Sequence, residues 1–314
     1  MENTWRLNIR MGWIVGLALA VVLIGGTVGL IVGAVVAPVS LRTFLLSLGA
    51  CVTLGLAIRV LYQLWGLINA VYELDRNALT IHWGYVEHTI PMGGVRDVIS
   101  GTRLDDVRIR PSLRWPGYTV AIGKATVATD EADPDPSDAI ALDPILFYAT
   151  APRKDLVILR TEGVTYAISP AETEPFLVAL RERLEMGPTQ EVEERSSHPT
   201  FLDWDFWRDR WALGMLGVSL GLLVLLVGAL CWRFPHLAPE IALRFTPAGT
   251  PLLTGGRARI FYFALLGAAF TVLNGGVGLI LYRHRRAISY FLWSGLLAAM
   301  GGLWAAVVSI LLLQ

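Results

Sequence analysis

From Gly12 to Val36 the chain carries no charged residue, and no other feature constrains its fold as strongly. A helix of that length, rising about 1.5 Å per residue, covers the roughly 30 Å hydrocarbon core of a bilayer. Similar apolar runs recur over residues 43–64, 213–232, 260–282 and 289–313. Charged residues make up only 17% of the 314 and hydrophobic ones 54%, whereas a soluble domain carries roughly 25% charge. The expectation is an α-helical membrane protein with about five transmembrane helices. The formal net charge of zero argues against a nucleic-acid partner, because neutralising phosphates requires a basic surplus.

Arg6 and Arg10 precede the first run as in a secretory signal. The run is longer than the roughly 7–15 apolar residues of such a signal and lacks a small-x-small cleavage site, so it is expected to be a retained helix. Gly25, Gly29 and Gly33 recur every fourth residue, and Gly217 and Gly221 repeat the spacing in the third run. Such stripes let a second helix approach closely. These glycines and Asn274, whose amide is expected to bond to a neighbouring helix, are the candidate helix-packing residues. Arg59, near the end of the second run, either snorkels to the headgroups or serves as a functional charge. Tyr62, Trp65 and Tyr72 are expected to form an aromatic belt there. Cys51 and Cys231 both lie in apolar runs, which suits packing better than a disulfide or zinc site.

Between the second and third runs, periodicity changes from helical to alternating. Strands are expected at 78–83, 86–90, 95–99, 118–122, 145–149, 156–161 and 164–169, with Glu162-Gly163 turning the last pair into a hairpin. Ser169-Pro170 is expected to start a helix, with Ser169 its cap. Phe176, Leu177, Leu180 and Leu184 then form an apolar stripe opposite Glu174, Arg181 and Glu185. Gly187-Pro188 should end it. Short strands closed by one amphipathic helix imply a small barrel or sandwich with the helix covering an open side. Asp130–Pro136 reads as an exposed acidic loop and 189–197 as a charged linker. Trp204, Trp207 and Trp211 are expected on a short interfacial helix before the third span.

Several of these residues carry a resemblance. Tyr72-Glu73-Leu74 with Leu79 and Ile81, Thr89-Ile90-Pro91 followed by Val95 and Val98, the strand at 155–161, and Tyr166–Pro170 with Phe176 and Leu180 together resemble bacterial pleckstrin-homology-like domains. The resemblance covers residues 70–187 and rests on the order of the motifs. It implies a PH-like barrel capped by a C-terminal helix. The polar connection 233–259, with Pro239-Glu240-Ile241, Phe245 and Gly249-Thr250-Pro251, is similar to the extracytoplasmic loop of a small bacterial membrane domain of unknown function, in which a histidine often stands where this chain has Arg244. The expected organisation is therefore two transmembrane helices in 1–69, the PH-like domain in 70–187, a charged and aromatic linker in 188–211, and three transmembrane helices in 212–314.

Residues 70–187 hold 18 acidic and 12 basic side chains, which opposes binding to anionic lipid through bulk charge. A local basic set nonetheless exists, and Arg108, Arg110, Arg114 and Lys124 are the candidate ligand-binding residues. His82 and His88 could face each other across a hairpin, but two ligands without a third make a poor metal site, and both are read as surface histidines. With no phosphate loop, nucleophile elbow or metalloprotease motif, no enzyme activity, cofactor or metal is expected. The leading expectation is a protein-docking or scaffolding module, an accessory subunit of a larger membrane complex or a self-associating one. A lipid-headgroup or small-ligand sensor is the alternative. A transporter or membrane-embedded enzyme requires Arg59, Asn274 and the Arg244 loop to converge. The Arg283–Arg286 cluster is expected on the cytoplasmic side of a bacterial plasma membrane. Counting spans then places 70–187 in the cytoplasm and the C-terminus outside, with membrane lipids as neighbours throughout.

Overall fold

A computed structural model describes residues 4–127, 140–190, 192–197, 204–245 and 251–312. The chain divides into two compact units, Met1–Ile24 with Gly55–Pro199 and Gly25–Leu54 with Thr200–Gln314. Five helices are long and apolar enough to cross a membrane: Arg10–Val36, Leu41–Ile68, Arg210–His236, Arg257–Tyr282 and Arg286–Leu312.

The first unit begins with β1 (Thr4–Arg6), followed by α1 (Arg10–Val36) and α2 (Leu41–Ile68), both of which continue into the second unit. Then come β2 (Val71–Leu74), β3 (Ala78–Trp83), β4 (Val86–Pro91), β5 (Asp97–Ser100), β6 (Leu104–Ile109), β7 (Thr119–Val127), β8 (Ile140–Ala149), β9 (Val157–Arg160), β10 (Thr165–Ile168), α3 (Thr173–Met186) and β11 (Arg195–Ser197). One antiparallel sheet runs β1-β2-β3-β4-β11, and a second, curled mixed sheet runs β5-β9-β10-β8-β7-β6 with β8 and β10 parallel.

Alternation explains both sheets. Leu79, Ile81 and Trp83 on β3 and Tyr72 and Leu74 on β2 point into one buried cluster, as period-two side chains must when one face is covered. Along β8, β9 and β10 successive residues divide between two cores. Tyr148, Leu159, Tyr166 and Ile168 join the first cluster, whereas Phe147, Ile158 and Ala167 pack with Leu104, Ala125 and Val127 inside the curl of the mixed sheet. Phe176 and Leu180 of α3 are fully buried on the first cluster, with the Trp5 ring meeting Phe176 edge-on at 5.4 Å. Burying each such side chain contributes about 1.5–3 kcal/mol. Gly187, at φ +68°, ends α3 where expected.

Four expectations are corrected here. Tyr72 belongs to no aromatic belt; it is a buried strand residue. The linker is partly β-structure, since Arg195–Ser197 pairs with Thr89–Glu87. Ser169 does not cap α3; its hydroxyl accepts the N–H groups of Thr150 at 2.7 Å and Ala151 at 3.4 Å. His82 and His88 do not face each other. The pairing sets Ile81 against His88 and His82 against Glu87, so His88 turns inward and is buried while His82 stays at the surface between Glu73 and Glu87. The acidic stretch 130–136 lies outside the described residues.

The second unit contains α4 (Arg210–Arg233), a hairpin of β12 (Glu240–Phe245) and β13 (Pro251–Gly256), α5 (Phe261–Tyr282) and α6 (Arg286–Leu312). The hairpin occupies what reads in sequence as a polar connection, and Leu237 and Ile241 anchor it in a core with Leu226, Leu230, Ile260 and Ile310. Ahead of α4 stands a single 3₁₀ turn, Asp205–Arg208, in place of an interfacial helix among the described residues. Phe206 packs there against Tyr282 and Trp293.

Candidate functional site

Among the described residues β5 is an edge strand of the mixed sheet, paired with β9 alone. Its outer side is a row of backbone donors and acceptors open to pairing. Next to it, α3 forms the other wall of a groove of about 240 Å³. Val98 and Leu177 supply apolar lining, while Lys154 and Arg181, Asp155 and Glu174 bring charges of both signs. Asp155 and Thr173 also line a larger adjoining cleft of about 690 Å³, reaching Trp115, Thr150 and Ser169.

A buried polar ladder holds this wall in place. The Tyr72 hydroxyl donates to the Tyr148 carbonyl at 2.6 Å and accepts the Ser169 N–H at 3.2 Å. It thereby ties β2 to β8 and to the end of β10, from which the chain enters α3. The Tyr148 hydroxyl lies 2.7 Å from His88 Nε2, and Tyr166 donates to Glu194 at 2.8 Å. Burial pushes the phenols of Tyr72, Tyr148 and Tyr166 above their ordinary range and that of Tyr118 up to about 12. All four stay neutral at physiological pH, and Tyr72, Tyr148 and Tyr166 act as hydrogen-bonding struts. Sequence reasoning missed the ladder because its members lie far apart in the chain. The one available signal was the tyrosines at inward strand positions.

The sequence candidates lie elsewhere. Arg108 and Lys124 stand opposite each other on β6 and β7. Each has an acidic partner, Arg108 with Asp106 at 2.9 Å and Lys124 with Asp143. Arg110 and Arg114 are exposed in the segment that follows β6. Among the described residues no group of three or more His, Cys, Asp or Glu is arranged to hold a metal. A Cβ at Gly25, Gly29, Gly217 or Gly221 would meet nothing within 4 Å, and one at Gly33 would touch Leu46 at 3.5 Å. Asn274 donates to the Phe270 carbonyl of its own helix at 3.2 Å, so its expected bond to a neighbouring helix is replaced by a local one. Trp204 packs beside Phe206, whereas Trp207 and Trp211 are exposed.

Asp209 is the second polar centre. It caps α4 by accepting the N–H groups of Trp211 at 3.0 Å and Ala212 at 3.2 Å. It also accepts the hydroxyls of Tyr282, at 2.6 Å, and Tyr290. The Tyr282 and Tyr290 hydrogen bonds, aided by the two backbone donors, hold its carboxyl down to about 2. That value lies below the roughly 3.9 of an unfolded chain. The stabilisation is therefore fully present above about pH 4 and lost as pH falls toward 2. Melting temperature followed against pH for the wild type and Asp209→Asn should show the two curves converging over that window. Parallel curves would contradict the assignment.

Compared with models of known protein families, with curated proteins and with solved structures, the chain matches none. The functional reading therefore rests on the site itself.

Proposed function

We propose that this chain is a multi-pass bacterial plasma-membrane protein whose first unit is a PH-like docking module, non-enzymatic and serving as a scaffold or accessory subunit. The observation that carries the reading is the open edge of β5 beside the α3 wall. A partner segment laid along β5 as an added strand gains main-chain hydrogen bonds from the edge, and the alternating side chains gain selectivity from the groove. Lys154, Asp155, Glu174 and Arg181 favour a segment bearing both charge signs. The Tyr72 ladder supports the reading, since a wall already fixed limits the ordering cost of binding.

The five apolar helices fit the multi-pass arrangement, and the Arg283–Arg286 cluster favours placing the docking unit in the cytoplasm. The lipid-sensor alternative is less well supported, because Arg108 and Lys124 already have acidic neighbours. Glu174 and Arg181 are exposed on α3, so reversing both charges should leave the fold intact. Purification in mild detergent is expected to recover a protein partner with the wild type and about tenfold less with the Glu174→Arg, Arg181→Glu double variant, a loss of about 1.4 kcal/mol. Equal recovery, or a monomer without partners in both cases, would overturn the reading.

A further inference from the structure

The β3–β4 hairpin ends in a feature that the docking function leaves unused. Trp83 pairs with Val86, leaving Gly84 and Tyr85 as a two-residue turn. Gly84 sits at φ +64°, and a Cβ there would stand 3.2 Å from Gly66 Cα and 3.1 Å from Trp65 Cζ3. Only glycine combines that backbone with that approach. The turn is thereby pressed against the last turns of α2. Tyr85 lies on Trp65 with ring centroids 4.5 Å apart, and Tyr62 joins the pair at 6.3 Å from Trp65 and 6.5 Å from Tyr85. The three rings are nevertheless 49%, 40% and 65% exposed for Tyr62, Trp65 and Tyr85.

The surroundings identify what covers them. Ile58, Leu61 and Ile68, on the same stretch of a helix apolar enough to cross a membrane, are also exposed. Arg59, exposed beside them, can extend its head toward the level of Tyr62 while its stem follows the apolar surface. The start of α1 is at the same level, because the Cβ position of Gly12 lies 3.0 Å from Leu67 and that of Gly16 lies 2.5 Å from Leu64. Trp13 and Met11 are exposed there, next to Arg10. Amphipathic rings and arginines at one level, at the ends of two apolar helices, are the composition of a headgroup layer.

We infer that the β3–β4 turn is a membrane anchor: Tyr85 enters the phospholipid headgroup layer beside Tyr62 and Trp65 and pins the five-stranded sheet to the bilayer surface. The inference rests on the reading that α1 and α2 cross a bilayer, and the experiment separates the two. In the full chain carrying Cys51→Ala and Cys231→Ala, single nitroxide labels are placed through Val22→Cys, Tyr85→Cys or Gly163→Cys. The protein is reconstituted in phosphatidylcholine–phosphatidylglycerol nanodiscs, and collisions with oxygen and with a polar nickel complex are measured. Residue 22 should read as hydrocarbon, residue 163 as water, and residue 85 as the headgroup boundary, with about tenfold less nickel access than residue 163 because the polar complex is excluded from apolar surroundings. If residue 22 reads as hydrocarbon and residue 85 is as nickel-exposed as residue 163, the anchor is overturned and the spans stand. If residue 22 reads as water, both readings fall.

Discussion

Gly117→Val is expected to destabilise the first unit by about 2–5 kcal/mol, combining the strain of a left-handed backbone with overpacking at a rigid contact. Gly117 sits at φ +81°, and a Cβ there would lie 2.3 Å from the backbone nitrogen of Gly12. The contact is mutual, since a Cβ on Gly12 would lie 2.1 Å from the Gly117 carbonyl oxygen. Backbone faces backbone here, so no flexible side chain can yield. Trp115 Nε1 donates to the Gly12 carbonyl at 2.7 Å and the Trp115 ring stacks on Tyr118 at 4.4 Å. Loss of the contact should therefore appear in tryptophan fluorescence as well as in the unfolding midpoint of the detergent-solubilised chain. An unchanged midpoint with an unshifted emission maximum would show that the loop does not seat on α1 in this way.

The second large effect belongs to the seam between α5 and α6. Gly278→Val is expected to cost about 2–4 kcal/mol, because a fully buried indole has to move and a buried hydrogen bond is lost with it. A Cβ at Gly278 would lie 2.2 Å from Trp293 Nε1, and Trp293 has no solvent exposure. The Ser289 hydroxyl donates to the Gly278 carbonyl at 2.7 Å, clamping the same seam. Gly221→Ala is the matched control, since no atom lies within 4 Å of its Cβ position and alanine favours a helix by about 1 kcal/mol. Thermal unfolding should separate the two variants by several degrees. Equal melting temperatures would contradict the seam.

These glycines show how much of the molecule was legible in its sequence. The five apolar helices were, because a long charge-free run has few alternatives to a continuous apolar helix. The strands from Ala78 to Pro91 and from Val157 to Ile168, and the stripe of α3, were legible from their periods. Which glycines make contacts was not. Spacing marks a smooth helix face, but the position and rotation of the neighbouring helix decide which face is used, and those depend on distant residues. Gly12, Gly16 and Gly278 make the tight approaches, and none belongs to the regular stripes.

Register was hidden for a related reason. A two-residue turn at Gly84-Tyr85 sets Ile81 against His88; a shift of one residue would send His88 to the surface. β1 and β11 are three-residue strands whose existence depends on the free edges of β2 and β4, so neither shows a period of its own. The groove beside β5 was invisible as a unit, since its walls are brought together only by the sheet order β5-β9-β10 and the return of α3. Its charges read in sequence as an ordinary solvated face. The arginines singled out instead lie on β6 and beyond, where acidic neighbours offset part of the set.

The docking reading meets its most direct test in photo-crosslinking within intact cells. A benzophenone amino acid at Ser100 or Arg181, on the two walls of the groove, should yield a discrete protein adduct, and the same probe at Arg110 should not. No adduct at either groove position, or an adduct formed only at Arg110, would contradict the account.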